Sequence, residues 1–158
     1  MAGEVTIKVD DTGARLKLGR VPVEVRNNLR NVIPGLTRRL AALVNSKISS
    51  ELKSHKTLAV AEQMVENTKE IYGRVQLTSP SANGLLPTYL EYGTKAHEIA
   101  GNPILAFYWD KVGANVFFRS VHHPGTKAYQ FMSRSFAEMR NEVVQKVAEA
   151  ARAGARNA

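Results

Sequence analysis

Ile104-Leu-Ala-Phe-Tyr-Trp109 and Asn115-Val-Phe-Phe-Arg-Ser-Val121, joined by Asp110-Lys-Val-Gly-Ala114, decide how this chain is read. Both runs are rich in β-branched and aromatic residues, which fit a pleated surface, and the connection carries the Asp and Gly that hairpin loops use. The expectation is an antiparallel hairpin with a five-residue loop. Side chains alternate across a strand, so Leu105, Phe107 and Trp109 share one side and Ile104, Ala106 and Tyr108 the other. Both sides are apolar. A sheet apolar on both faces has to be covered twice. Two helices of the same chain are expected to cover one face, and a neighbouring subunit the other. Assembly is therefore the first functional expectation.

Working outward toward the C-terminus, His122-His-Pro-Gly-Thr126 reads as a tight turn with Pro124-Gly125 at its centre. Thr126 is placed to cap a final helix running to about Arg152, on the stripe Met132, Phe136, Met139, Val143, Val147 and Ala150/Ala151. Residues 153–158 read as a flexible tail. Toward the N-terminus, Leu85 to Glu91 forms a short helix with Pro87 in its first turn and Gly93 just past its end. Residues 79–84 are a loop, 70–79 a strand and 58–66 a weaker one. Residues 22–53 form a long amphipathic helix on Val25, Leu29, Val32/Ile33, Leu36, Leu40, Leu43/Val44, Ile48 and Leu52. The stripe keeps its phase across Pro34, so a kink or brief break is expected there. Residues 4–18 alternate around Asp10-Asp-Thr-Gly13 and read as a second hairpin, either an arm or a sheet extension.

Strands arrive as neighbours and do not alternate with helices. The expected fold is α+β: an antiparallel sheet packed against two long helices, with an N-terminal β-hairpin. A length of 158 residues with 44% hydrophobic composition suits one globular domain over residues 1–158 and argues against general disorder. The chain has no cysteine, which excludes disulfides, thiolate nucleophiles and Cys-ligated metals. No apolar run is long enough to span a bilayer, and the basic-then-apolar order of a secretory leader is not seen at the start.

The net charge of +8 is uneven: from Arg20 to Lys56 eight bases stand against two acids, Glu24 and Glu51. Such an excess suits a polyanion or an acidic protein surface, with Arg26, Arg30, Arg38 and Arg39 as the candidate contacts. The plain alternative is a solvated helix face.

Catalytic and metal signatures are weak. His55, His97, His122 and His123 would have to converge with carboxylates such as Glu91, Glu98 or Asp110 to hold an ion. His122 and His123 are adjacent on an extended segment and point to opposite sides. There is no Gly-x-Ser-x-Gly, no phosphate-binding glycine loop and no His-Glu-x-x-His. Glu91 and Glu98 have the chemistry of an acid/base pair, but the favoured reading gives Glu91 a local hydrogen bond or ion pair at a turn. No enzyme activity, metal or cofactor is expected.

Several segments in order carry a family resemblance. They are Leu90-Glu91-Tyr92-Gly93-Thr94, His97-Glu98-Ile99, the aromatic hairpin, Val121-His122-His123-Pro124-Gly125-Thr126, and Phe131-Met132 before the last helix. Over roughly residues 57–150 the chain resembles the tail-completion, or head-to-tail joining (minor tail, neck), proteins of long-tailed bacteriophages. The resemblance implies a virion structural protein in a six-fold or twelve-fold ring at the head–tail junction, built from heterologous contacts that close. Its implied neighbours are connector or head-completion proteins on one side and tail-terminator or tail-tube proteins on the other. It would be made in the bacterial cytoplasm and end in the virion. Glu91, Tyr92, Gly93, Thr94, His97, His123, Pro124, Gly125 and Phe131 become the candidate interface and turn residues. In such a ring the basic helix has two settings: lining the bore, with sequence-independent contacts to phosphate, or docking on an acidic neighbouring ring.

Overall fold

A computed structural model describes residues 23–52, 58–67, 70–79 and 84–156. The hairpin expected over residues 4–18 lies outside them. The order is α1 (Val23–Glu51), β1 (Ala59–Glu66), β2 (Ile71–Thr78), α2 (Leu86–Tyr92), β3 (His97–Trp109), β4 (Ala114–His123) and α3 (Phe131–Arg156). The α+β class stands.

The strands do not form one sheet. β1 pairs only with β2, and β3 only with β4, each antiparallel. The two hairpins are separated in sequence by α2 and by the crossing at Thr94.

α1 is continuous through Pro34. Its buried side chains are Val25, Leu29, Ile33, Thr37, Val44 and Ile48, close to the apolar stripe but with Thr37 at its middle where Leu36 was expected. Thr37 donates its hydroxyl to the Ile33 carbonyl at 2.9 Å, so burial leaves no orphaned donor. It fits because Gly73 of β2 lies directly against it; a Cβ there would overlap the Thr37 hydroxyl.

Two apolar clusters hold the body. In one, Val44 and Ile48 of α1 meet Val75 and Leu77 of β2, Leu90 of α2, and Phe131 and Met132 of α3. In the other, Val25, Leu29 and Ile33 meet Ile71 and Ala150. Each fully buried aliphatic or aromatic side chain contributes ~1.5–3 kcal/mol, so these clusters dominate the stability of the body.

α1 and α3 run antiparallel. Ion pairs mark the register: Arg134 to Glu51 at 2.7 Å, Lys47 to Glu138 at 2.8 Å and Arg39 to Glu142 at 2.5 Å. Further along, Asn28 donates to the Ala150 carbonyl at 3.3 Å, and Gly154 lies on the backbone of Val25. Helix α3 therefore continues beyond Arg152 to Arg156, and residues 153–156, expected as tail, are helical and anchored by that contact. Among the described residues no helix is long and apolar enough to cross a membrane.

Candidate functional site

The residues of the ordered motifs build a clasp where α2, the β3–β4 hairpin and α3 meet. Glu91, on the last turn of α2, is fully buried. Its carboxylate accepts hydrogen bonds from the backbone N–H of Met132 at 3.0 Å and of Ser133 at 2.9 Å, and from the Ser133 hydroxyl at 2.7 Å. Those amides belong to the first turn of α3, which has no intrahelical acceptors of its own. A carboxylate there satisfies them and complements the positive end of the helix dipole.

The favoured local role of Glu91 is thus replaced by a remote one, a cap on a helix about forty residues away. The cap expected from Thr126 does not form, because α3 begins only at Phe131. Thr126 is used in a bridge. It exchanges both backbone hydrogen bonds with Thr94, at 2.9 and 3.2 Å, and its N–H also reaches the Thr94 hydroxyl at 3.0 Å.

Gly93 and Gly125 flank that bridge with φ of 75° and 88°, in the left-handed region that side chains avoid. A Cβ on Gly125 would overlap the Thr94 carbonyl, and one on Gly93 would press on the Thr126 carbonyl. The Tyr-Gly-Thr and Pro-Gly-Thr motifs are therefore two halves of one crossing. Tyr129 N–H to the Leu90 carbonyl at 2.8 Å extends it toward α3. Phe131, expected as an interface residue, is fully buried and stacks on Tyr129 with ring centroids 5.1 Å apart.

Just beyond the clasp the histidines pair across the hairpin. His97 lies opposite His123, rings 5.1 Å apart, and Glu98 lies opposite His122, which it meets at 2.8 Å. His123 Nδ1 accepts the Gly125 N–H at 3.1 Å, and Pro124 follows in the turn. His122 and His123 face opposite sides, as their adjacency requires. Among the described residues no three His, Asp or Glu side chains come together as a metal-holding group. Glu91 and Glu98 do not form a pair: one carboxylate is tied to the start of α3, the other to His122.

From this base the hairpin projects as an arm. No residue from His97 to His123 is buried. This corrects the expectation that helices cover one of its faces. Strand β4 has ten residues, so the arm is about 30 Å long at ~3.3 Å per residue. Residues 101–104 bulge opposite Arg119, between the pairs Ala100–Ser120 and Leu105–Phe118. Beyond the bulge one face carries Phe107, Trp109 and Phe118, with ring centroids 6.2 to 6.3 Å apart. The other carries Tyr108, 60% exposed, and Phe117, 68% exposed. Tyr89 and Tyr92 of α2 add exposed rings on the body.

The four arginines of α1 are mostly engaged. Arg30 grips both oxygens of Glu66 at 2.6 to 2.9 Å, and Arg26 reaches the same carboxylate at 3.1 Å and the Asn67 carbonyl. The Arg30 hydrogen bond, opposed in part by desolvation and assisted by the charges of Arg30 and Arg26, holds the Glu66 carboxyl below the usual carboxylate range. Arg39 is paired with Glu142. Arg38 has only the Pro34 carbonyl, at 3.4 Å. The acids that answer α1 sit far away in sequence, on β1 and α3, which is why a count along residues 20–56 overstated its free charge.

Comparison with known protein families, with curated sequences and with solved structures gives no match to this chain.

Proposed function

We propose that this chain is a structural subunit of a tailed-phage virion, forming or joining a ring at the head–tail junction that helps attach the tail to the DNA-filled head. The observation that carries the reading is the arm: a hairpin with aromatic side chains exposed on both faces, fixed to the body by the clasp. Exposed apolar surface of this kind marks a protein interface. The motif order gives the interface its setting, through the resemblance to tail-completion proteins. In this reading the arm and the exposed Tyr92 make the contacts, while Glu91, Gly93, Thr94 and Gly125 hold the arm at a fixed angle. The work is binding and positioning, without bond-making.

The alternative is a sequence-independent DNA-binding protein using α1. Its support is reduced, since Arg26, Arg30 and Arg39 are neutralised by acids of the same fold. Of the four candidate arginines, Arg38 is the one left for a basic lining of a ring bore, among the described residues.

The test is to purify phage particles and tails from cells that carry this gene and to locate the subunit by mass spectrometry and labelled imaging. The expected result is a ring of copies at the portal-proximal end of the tail, and tails that fail to join heads when the arm is truncated. Its absence from every head, neck and tail particle overturns the reading. Duplex DNA binding by the free subunit, weakening steeply with salt, would favour the alternative.

A further inference from the structure

A shallow groove runs between α1 and β1. It is lined by Ala41, Ala42, Leu58, Ala59 and Val60, with the polar Asn45 and the charged Arg38 and Glu62. No arm residue of the same chain lines it. Neither Arg38 nor Glu62 has an oppositely charged partner among the described residues. At the tip of the arm Asp110 and Lys111 are exposed side by side, followed by Val112, which is 58% exposed. The groove lining and the arm tip each offer one acid, one base and apolar surface.

From this complementarity we infer that the occupant of the groove is the arm of a second copy of the chain. Val112 lies against Ala41 and Ala42, Asp110 meets Arg38, and Lys111 meets Glu62. The inference rests on the reading of the arm as an interface and names its partner.

Two further observations favour a second copy. Residues 97–123 carry Glu98 and Asp110 against Lys111 and Arg119, so the arm is neutral on a chain of +8. It is therefore a segment on which two such chains approach without strong repulsion. Lastly, donor and acceptor surfaces differ, so the contact is heterologous and each subunit keeps a free groove and a free arm for the next.

The chain has no cysteine, so introduced thiols report single sites. An Ala42→Cys variant and a Val112→Cys variant, each purified and then mixed, are treated with a short bis-maleimide. Covalent dimer is expected to form roughly tenfold faster than from Val112→Cys mixed with Val144→Cys, an exposed site on α3, because seated thiols react at the effective concentration of a bound pair. Adding Arg38→Glu to the groove chain, or Asp110→Arg to the arm chain, should abolish the excess. Combining the two should restore it. Equal yields at Ala42 and Val144, or charge reversals without effect, overturn the inference.

The outcome separates from that of the virion reading. A subunit found in particles but not cross-linked through the groove loses only this seat. Cross-linking by a protein absent from particles keeps the seat and removes the virion role.

Discussion

The arm is no less apolar in sequence than the body, yet the two use that content differently. In the body, Leu29, Val44, Ile48 and Leu77 are buried to 2% exposure or less, and neighbouring charges pair across α1, α3 and β1. In the arm, Phe117 and Tyr108 stand mostly in solvent, and order comes from ladder hydrogen bonds, cross-strand rings and the clasp. A two-stranded hairpin is marginal by itself in water. The difference teaches that hydrophobic content does not locate a core. What decides is whether another element lies within reach, and among the described residues none does beyond Thr94 and Thr126.

The comparison is broken most forcefully at Glu91. Replacing Glu91 by Ala removes the acceptor of two backbone amides and a hydroxyl at the start of α3, the Met132 amide being buried, and is expected to cost about 2–4 kcal/mol, read by urea unfolding. Next is Gly125→Val, which forces a β-branched residue to positive φ and onto the Thr94 carbonyl. A loss of about 2–3 kcal/mol is expected. It should appear first as faster amide exchange at Thr94 and Thr126, since the clasp opens before the body.

Glu66 offers a smaller, pH-dependent effect. Its carboxyl is held below the usual range by Arg30, so the folded state favours the charged form. The resulting stabilisation is present above that range and is lost as pH falls through it and below. Glu66→Gln should therefore cost a little stability at neutral pH, as an exposed ion pair implies, and nothing at low pH, which flattens the acid limb of a stability-versus-pH curve. The smallest change in stability is expected for the pair Phe107→Ser and Phe117→Ser. The unfolding midpoint should shift by no more than the ~0.5 kcal/mol typical of surface sites, while assembly measured by sedimentation collapses. Comparable losses from arm and body substitutions would mean the arm is part of the core after all.

The local elements were legible because they depend on neighbours in sequence. The long helix across Pro34, the strands at 59–66 and 71–78, the short helix ending before Gly93 and the aromatic hairpin all follow from periodicity and turn residues. The pairing partners were not. One sheet was expected where there are two, because alternation says that a strand has two faces and not which strand lies beside it. Glu91 was misread for the same reason: its acceptor role depends on amides at 132 and 133, which only the closed fold brings to it. The turn motifs pointed to the right place, since glycines at 93 and 125 signalled backbone that side chains would obstruct. That they face each other was visible only in three dimensions.

The Thr94–Thr126 bridge has one more consequence. Both ends of the excursion from Lys95 to Gly125 leave and re-enter the fold at a single point. Matched insertions or deletions in the two strands would therefore change reach without disturbing anything below that point, by about 3.3 Å for each added pair. Each single-pair step would also exchange the sides on which the distal rings lie. Length can drift over generations while the anchorage stays constant, so the same body can present its aromatic rings at different distances.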